Sequence, residues 1–488
     1  MHASLWFNRT HMRWLLALFV LLLIAAGAVF TMSRRETLPV VRIEQPDRTV
    51  GQAGTLVVTA EAPKAAFTTL TVVLEQNGKT VPLFSLDSPD QAKAAATSPA
   101  TPDRLTITRP IGKQSVPQLQ SGTARIVASA SRKSFLNLRT LAASAAKDIK
   151  IQLEPPAIAV ISTHHYVNLG GSEMVVYRAT PPDVQSGVRV GDVEYPGFPA
   201  SGAGATGADP AVRVAFFALL YNQNLKTPIV AFARDEAGNE ATAHFIDNMF
   251  PKPQKKSRIE LDDKFVNRVV PEILQHSPEL KMAPPAPGAD MITPFLAING
   301  ELRRANAASI AALAKKTSAS KLWNGPFTQL GNSKVEAAFA DHRTYVYKGK
   351  EVDQQVHLGF DLAVTSRVPI LAANAGTVLN ASWLGIYGNC VILDHGMGVQ
   401  SLYGHLSSFD VKVGDTVTRG QTVGRSGMTG LAGGDHLHFT MLVNGQMVNP
   451  VEWWDPHWID DRVQRKLGEA GAGGQSAAPP PAAPAAVR

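Results

Sequence analysis

The hydrophobic pattern changes character several times along the chain. Residues 14–31 read WLLALFVLLLIAAGAVFT. That is about 18 uncharged, mostly apolar positions, or roughly 27 Å of helix, enough to cross the hydrocarbon core of a bilayer. Arg9 and Arg13 precede this run and Arg34 and Arg35 follow it, so the arginines leave its orientation open. The short arm of residues 1–13 predicts that the N-terminus stays in the cytoplasm and the long remainder is exported. Ala26-Gly27-Ala28 offers a signal-peptidase site, so a cleaved signal stands as the alternative. An uncleaved single-pass anchor is favoured because the apolar run continues past that site.

Beyond the run the pattern becomes short and alternating. Residues 55–59 and 70–74 read as strands, and Asn77-Gly78 marks a hairpin before the strand at 80–84. A loop rich in Ala, Ser, Pro and Asp covers about 86–103, and strands resume at 124–128 and 149–153. Pro155-Pro156 marks a boundary, after which 157–163, 174–179, 212–221 and 228–234 are strand-like. The stretch IVAFARDEAGNEATAHF resembles the closing hairpin of bacterial immunoglobulin-like modules. Two β-sandwich-like modules are expected, at 38–153 and, immunoglobulin-like, at 156–247. Residues 248–324 read as a linker with helices at 262–275 and 301–316, opened by Pro251-Lys252-Pro253-Gln254-Lys255-Lys256. From 325 to 456 short strands alternate with Gly-rich turns. The tail at 457–488 is Gly/Ala/Pro-rich and is expected to be disordered from about 468.

Composition narrows the function classes. The length of 488 residues suits about three domains at roughly 150 residues each. A net charge of +7 favours contact with anionic membrane or wall polymer. No dense Lys/Arg block interleaved with aromatics occurs, which argues against nucleic acid. Cys390 is the single cysteine, excluding an intramolecular disulfide and a cysteine-based zinc site. Within Asn389-Cys390-Val391-Ile392-Leu393 it reads as a small buried hydrophobe on a strand.

The candidate chemistry lies in three segments: Val356-His357-Leu358-Gly359-Phe360-Asp361, Leu402-Tyr403-Gly404-His405-Leu406 and Gly434-Asp435-His436-Leu437-His438-Phe439. On a strand, His436 and His438 project from one face. His357 and Asp361 flank Gly359, where a bend would bring a carboxylate beside an imidazole. Neutral nitrogens with one carboxylate suit zinc, and a catalytic zinc takes three protein ligands and keeps one position open. Five candidate groups exceed three, so some would be acid–base groups. No HExxH occurs, so histidine would take the role of the usual helix-borne glutamate.

The sequence HLGFD, then YGHL, then SGMTGLAGGDHLHF resembles the lysostaphin-type (LytM-like, β-lytic) zinc metalloendopeptidases over about 339–456, including Val448-Asn449-Pro450. The resemblance implies a mainly β fold whose C-terminal domain is a duplicated-hybrid-motif β-sheet peptidase with its site in a groove. It implies one zinc ion on His357, Asp361 and His438, with His405 and His436 as the non-ligand catalytic pair. It also implies hydrolysis of peptidoglycan, in the stem peptide or cross-bridge, by an enzyme facing the periplasm or cell wall. The sequence departs from the family at Thr440, where Glu often follows HxHF, and at Phe339-Ala340-Asp341-His342-Arg343, where Phe-Gly-x-Arg is common. Both departures are expected to affect groove shape more than chemistry.

Other residues have structural readings. His164 and His165 are strand neighbours pointing to opposite faces, His395 ends a strand, and His342 is a surface residue. Asp435 should face away from His436. Tyr387, Asn389 and Trp383 line the groove or pack, and Trp453, Trp454 and Trp458 pack after the domain. The rival function is a catalytically inactive wall-binding protein or an activator of another hydrolase. The two β-modules are expected to act as spacers from the membrane, and residues 258–325 stand as a candidate inhibitory lid over the groove.

Overall fold

The computed structural model describes residues 9–34, 36–63, 66–88, 96–97, 103–205, 208–283, 285–286 and 288–473. The arm before Arg9, most of the expected loop at 86–103 and the tail beyond Gly473 lie outside that set. Among the described residues the fold is mainly β, preceded by helix α1 (Arg9–Arg34). Its stretch Met12–Ser33 is the one described helix long and apolar enough to cross a membrane. The chain divides into two compact units: residues 1–155 with 235–240, and residues 156–234 with 241–488.

The first unit holds a four-stranded and a five-stranded sheet among its described residues. Strands β1 (Gly122–Lys133) and β2 (Thr140–Ile151) form a long hairpin, in register from Gly122↔Ile151 to Lys133↔Thr140. Period-two burial along β1 sends Ala124, Ile126, Ala128 and Ala130 inward, into a core with Leu56, Val58, Leu70 and Val72. At one end of this sheet lies the Asn77-Gly78 turn, left-handed at both residues (φ 53° and 71°) as a two-residue hairpin requires. At the other end, buried Arg132 donates to Glu36 Oε2 at 2.7 Å and to the Thr37 carbonyl at 2.6 Å. There Ser33 Oγ, at the end of α1, donates to Ser134 Oγ at 3.0 Å.

In the second unit, the strands of 157–234 share a core with the C-terminal sheet. Val175, Tyr177, Phe216 and Phe217 join Trp323, Leu437, Phe439 and Trp453 in it. The C-terminal part opens with β3 (Lys256–Leu261), α2 (Asp263–His276) and α3 (Arg303–Ala314). Then come β4 (Asp341–Tyr347), β5 (Lys350–His357), β6 (Phe360–Ala363), β7 (Asn389–Gly396), β8 (Val399–Leu406) and β9 (His436–Val443), and the described chain closes on α4 (Arg465–Gly473). The main sheet runs β6-β9-β8-β7 through its centre, all antiparallel.

The apolar run of β7 is explained by cover on both faces. Val391 and Leu393 enter the core shared with 157–234, whereas Cys390 and Ile392 meet a second core with Val266, Val269 and Ile310 of α2 and α3. Residues 256–314, expected as a linker with helices, are therefore a layer of this unit. β3 adds in parallel to β4, from Lys256↔His342 to Leu261↔Tyr347. Asp262 caps α2, accepting from the Phe265 amide at 2.7 Å.

The C-terminal turn and helices are anchored on the strands of 157–234. Glu452 accepts from Asn168 Nδ2 at 2.9 Å and from the Ser172 amide at 2.7 Å. Trp453 Nε1 donates to Ser172 Oγ at 3.1 Å, and its ring packs on Phe216, Trp323 and Phe327. Helix α4 continues to Gly473, past position 468 where composition predicts loss of order. The reason is burial: Lys466 Nζ donates to Glu173 Oε1 and to the Met174 carbonyl, each at 2.8 Å, and both charged side chains are wholly enclosed. Burial pushes the Glu173 carboxyl up and the Lys466 ammonium down, each partly restrained by the other.

Candidate metal centre

The register of the central sheet brings distant residues together. β6 and β9 pair Asp361 directly opposite His438 and Ala363 opposite His436, so Asp361, His436 and His438 share one face. His357 ends β5, and the Leu358-Gly359 break between β5 and β6 turns its ring toward the same point. Thr440, standing where the related pattern has Glu, donates from Oγ1 to the Leu358 carbonyl and holds that break in place. Gly359 is required by close approach: a Cβ there would lie 2.5 Å from His438 Nε2 and 2.9 Å from the Phe439 carbonyl oxygen.

Three ligand atoms converge. His357 Nε2 lies 3.0 Å from Asp361 Oδ1 and 3.2 Å from His438 Nδ1, and His438 Nδ1 lies 3.0 Å from Asp361 Oδ1. Tetrahedral zinc with bonds of about 2.0–2.2 Å has ligand–ligand edges of about 3.3–3.6 Å, somewhat wider than this triangle. His357 Nδ1 faces the Ala338 carbonyl at 3.2 Å, which places the proton there and leaves Nε2 as a lone pair. The donor set fits a metal ion, and His357, Asp361 and His438 are the cluster with suitable spacing among the described residues.

His405 and His436 stand beside this triangle, their ring centroids 4.8 Å apart. His405 Nδ1 faces the Thr429 carbonyl at 2.8 Å, so Nε2 is its open nitrogen. Its backbone is left-handed (φ 64°), an unfavourable conformation for a residue with a Cβ. His436 Nδ1 faces the Gly434 carbonyl at 2.8 Å and its Nε2 lies 3.4 Å from Asp361 Oδ1. Both nitrogens thus point at oxygen acceptors, an arrangement that suits the doubly protonated ring.

Electrostatics follow the same division. Burial alone would raise the Asp361 carboxyl, but the neighbouring His357, followed by His436 and His438, holds it well below the usual range. Burial, with His436 and His438 alongside, keeps His405 well below the ordinary imidazole range. Burial pushes His438 down to about 4 against the pull of Asp361. Burial also opposes the charged form of His436, but the hydrogen bond and charge of Asp361 outweigh it and raise that ring.

Two features of the site escape a motif reading. Arg343 Nη2 donates to Asp361 Oδ2 at 3.1 Å while its Nε lies 3.5 Å from Asp341 Oδ2, so the carboxylate opposite the triangle is held on its outer oxygen. Its place in Phe339-Ala340-Asp341-His342-Arg343 was the available signal. The second feature is the far wall of the cavity. A volume of about 440 Å³ opens over the histidines and Asp361, faced by Ile259, Phe265 and Arg303 from the layer of 256–314. That layer forms a wall, and the metal-site residues remain exposed to the cavity.

The other residues sort as follows. Tyr387 is buried at the groove, its ring centroid 5.3 Å from that of His438. Trp383 stacks on His276 at 4.6 Å and donates to Ser277 Oγ, away from the site. The Asn389 amide donates to Thr429 Oγ1. Asp435 accepts from Ser366 Oγ and the Arg367 amide. His395 is a satisfied core residue between the Ala375 carbonyl and Ser401 Oγ. His165 is buried against Ser162 Oγ, while neighbouring His164 is exposed. His342, expected at the surface, is half-buried with its Nε2 enclosed, because β3 covers that edge of β4.

Residues 355–450 match the model of peptidase family M23. Over 120 residues the chain is 36% identical to an uncharacterized metalloprotease of Haemophilus influenzae, covering 24% of this chain and 25% of the relative. Over 97 residues it is 40% identical to the DD-carboxypeptidase/endopeptidase Mpg of Neisseria meningitidis serogroup B, covering 20% and 22%. The chain thus spans about a quarter of the length of these curated relatives. The solved catalytic domain of the antimicrobial peptidase lysostaphin from Staphylococcus simulans aligns at 28% identity and a TM-score of 0.24, covering 27% of this chain and 98% of that one.

Proposed function

With a peptidase M23 domain at the C-terminal end of the chain, we propose that this protein is a zinc-dependent endopeptidase that hydrolyses peptide bonds of peptidoglycan in the cell envelope. The single observation that carries the reading is the convergence of His357 Nε2, Asp361 Oδ1 and His438 Nδ1 within 3.0–3.2 Å, with two further histidines facing the same cavity. An inert wall-binding protein has no use for that arrangement. The relatives' names, metalloprotease and DD-carboxypeptidase/endopeptidase, support both the reaction and the substrate class. Helix α1 supports a single-pass membrane anchor, with the body of the protein outside the cytoplasm.

When bound by His357, Asp361 and His438, zinc would supply Lewis acidity to the scissile carbonyl and to the attacking water. The roles of the other groups follow from their hydrogen bonds. His405, its Nδ1 proton committed to Thr429, offers Nε2 as the acceptor for the proton of the attacking water. His436, its Nδ1 turned to the Gly434 carbonyl and its Nε2 beside the metal triangle, is the group that donates from Nε2 toward the developing oxyanion. Arg343 fixes the outer oxygen of Asp361, leaving the inner one for the metal. The wall of Ile259, Phe265 and Arg303 positions the peptide across the groove.

Two replacements test the assignment. His438→Ala is expected to lose both zinc, by metal analysis of the purified protein, and release of peptides from purified peptidoglycan. His405→Gln is expected to keep the zinc and lose about 10²–10⁴-fold in turnover. Full activity in either variant would sink the mechanism, and a wild-type protein that binds zinc but releases no peptide would favour the inert role.

A further inference from the structure

The tip of the β1–β2 hairpin has a composition that the core of its own unit does not explain. Leu136 and Leu138 are 64% and 54% exposed, and Leu38, next to the Thr37 that Arg132 holds, is 55% exposed. Lys133 and Arg139 flank the tip and are also exposed, and no acidic residue lies between Ser131 and Leu141. Leu136 is held left-handed (φ 57°), with Asn137 following at φ 58°. An apolar residue in that conformation is strained, and here it gains no burial in return. The tip is nevertheless well built. Ser134 and Arg139 close it through the Ser134 amide to the Arg139 carbonyl and the Arg139 amide to Ser134 Oγ, each at 2.9 Å.

Its position supplies the missing partner. Ser134 receives the hydrogen bond from Ser33, the last residue of the apolar stretch Met12–Ser33. Arg132 ties the segment immediately after α1 to the base of the same tip. Leu136 and Leu138 lie two and four residues from Ser134, within about 7–14 Å of it. The headgroup layer on each side of a bilayer is about 5–8 Å deep. If α1 crosses a membrane with Ser33 at its surface, the headgroups lie within reach of the tip.

We propose that the hairpin tip 134–139 is a second membrane contact: Leu136 and Leu138 enter the interfacial layer beside the exit of α1, and Lys133 and Arg139 meet the lipid phosphates. The inference rests on the reading of α1 as an anchor and goes beyond it. Leucines buried at the headgroup–acyl boundary with flanking cations form the usual chemistry of interfacial attachment. The hairpin then fixes how the first unit stands on the bilayer, because it joins α1 at a second point instead of leaving a free swivel at Thr37. The Asn77-Gly78 turn, at the far end of β1, is carried roughly 35 Å away along the strand.

The test uses the full-length chain in vesicles of phosphatidylethanolamine and phosphatidylglycerol, with nitroxide-labelled lipids as quenchers. Single cysteines labelled with an environment-sensitive fluorophore replace Leu136, Leu138, Lys79 or Leu22. Cys390 is wholly buried, so it does not compete for the label. The expected result is a blue shift and loss of emission at Leu136→Cys and Leu138→Cys, approaching Leu22→Cys in α1, with neither at Lys79→Cys near the opposite turn. Adding Lys133→Glu and Arg139→Glu to Leu136→Cys should weaken the quenching without unfolding the hairpin. Quenching at Leu22 but not at 136 or 138 would overturn the proposal and leave the anchor standing. A blue shift at 136 without lipid quenching would mean that protein covers the tip, and would overturn it as well. Absence of quenching at Leu22 would overturn the anchor reading and the proposal together.

Discussion

At the scale of single residues, the site depends on groups with no metal-binding capacity of their own. Gly359 is one: any side chain there meets His438 and the Phe439 carbonyl. Gly359→Ala is expected to weaken zinc binding by about 10–100-fold, read by competition with a chromogenic chelator, with unchanged far-UV circular dichroism. Arg343 is another. Arg343→Gln should cost zinc affinity to a similar extent, about 10–100-fold, while Arg343→Lys keeps the charge and recovers only part of it, because a single ammonium cannot span Asp341 and Asp361. The five candidate residues were legible in the sequence because each sits in a short local pattern. Arg343 was not, because its importance comes from Asp361, 18 residues further on and reached through strand pairing.

At the scale of elements, alternation and turn chemistry predicted much. The Asn77-Gly78 hairpin, the helix at 262–275 and the doubly covered strand around Cys390 all follow from local pattern. The layer of 256–314 was read as a linker because its parallel pairing with β4 joins residues about 85 positions apart, which local pattern cannot show. The turn carrying Glu452 gives a pH prediction. Burial raises this carboxyl from 4.5 to about 7 despite donors from Asn168 and Ser172. The folded state therefore keeps a proton that the unfolded chain releases, and stability from this group is full below about 4.5 and is lost as pH rises through about 7. The melting temperature should fall across that window by an amount equivalent to roughly 3 kcal/mol at most. Glu452→Gln should flatten this part of the profile; an unchanged slope would place the titration elsewhere.

At the scale of the whole molecule, the second unit behaves as one folding body from the strands of 157–234 to α4. The central strands are covered by one core on each face, so neither cover is dispensable. A chain restricted to 325–488 is expected to bind an apolar dye and aggregate, because Tyr403 and Phe439 lose their cover on one face and Cys390, Ile392 and Leu402 on the other. Residues 156–488, including 235–240, are expected to stay soluble. Higher hydrolytic rates from a soluble 325–488 fragment would instead mean that the layer acts as a brake.

The buried pair of Glu173 and Lys466 carries a consequence for the order of synthesis. The carboxylate emerges from the ribosome 293 residues before its ammonium. Until Arg462 and Lys466 arrive, Glu173 lacks both of its cations, and leaving one member of such a buried pair alone costs about 3–5 kcal/mol. Every residue of the metal site has been made by then, yet the body around it cannot close. A chain cut short just before Arg462 would carry every residue of the candidate metal site on an open scaffold, exposed to proteolysis. The stability of the candidate metal site is thereby tied to charges made after it.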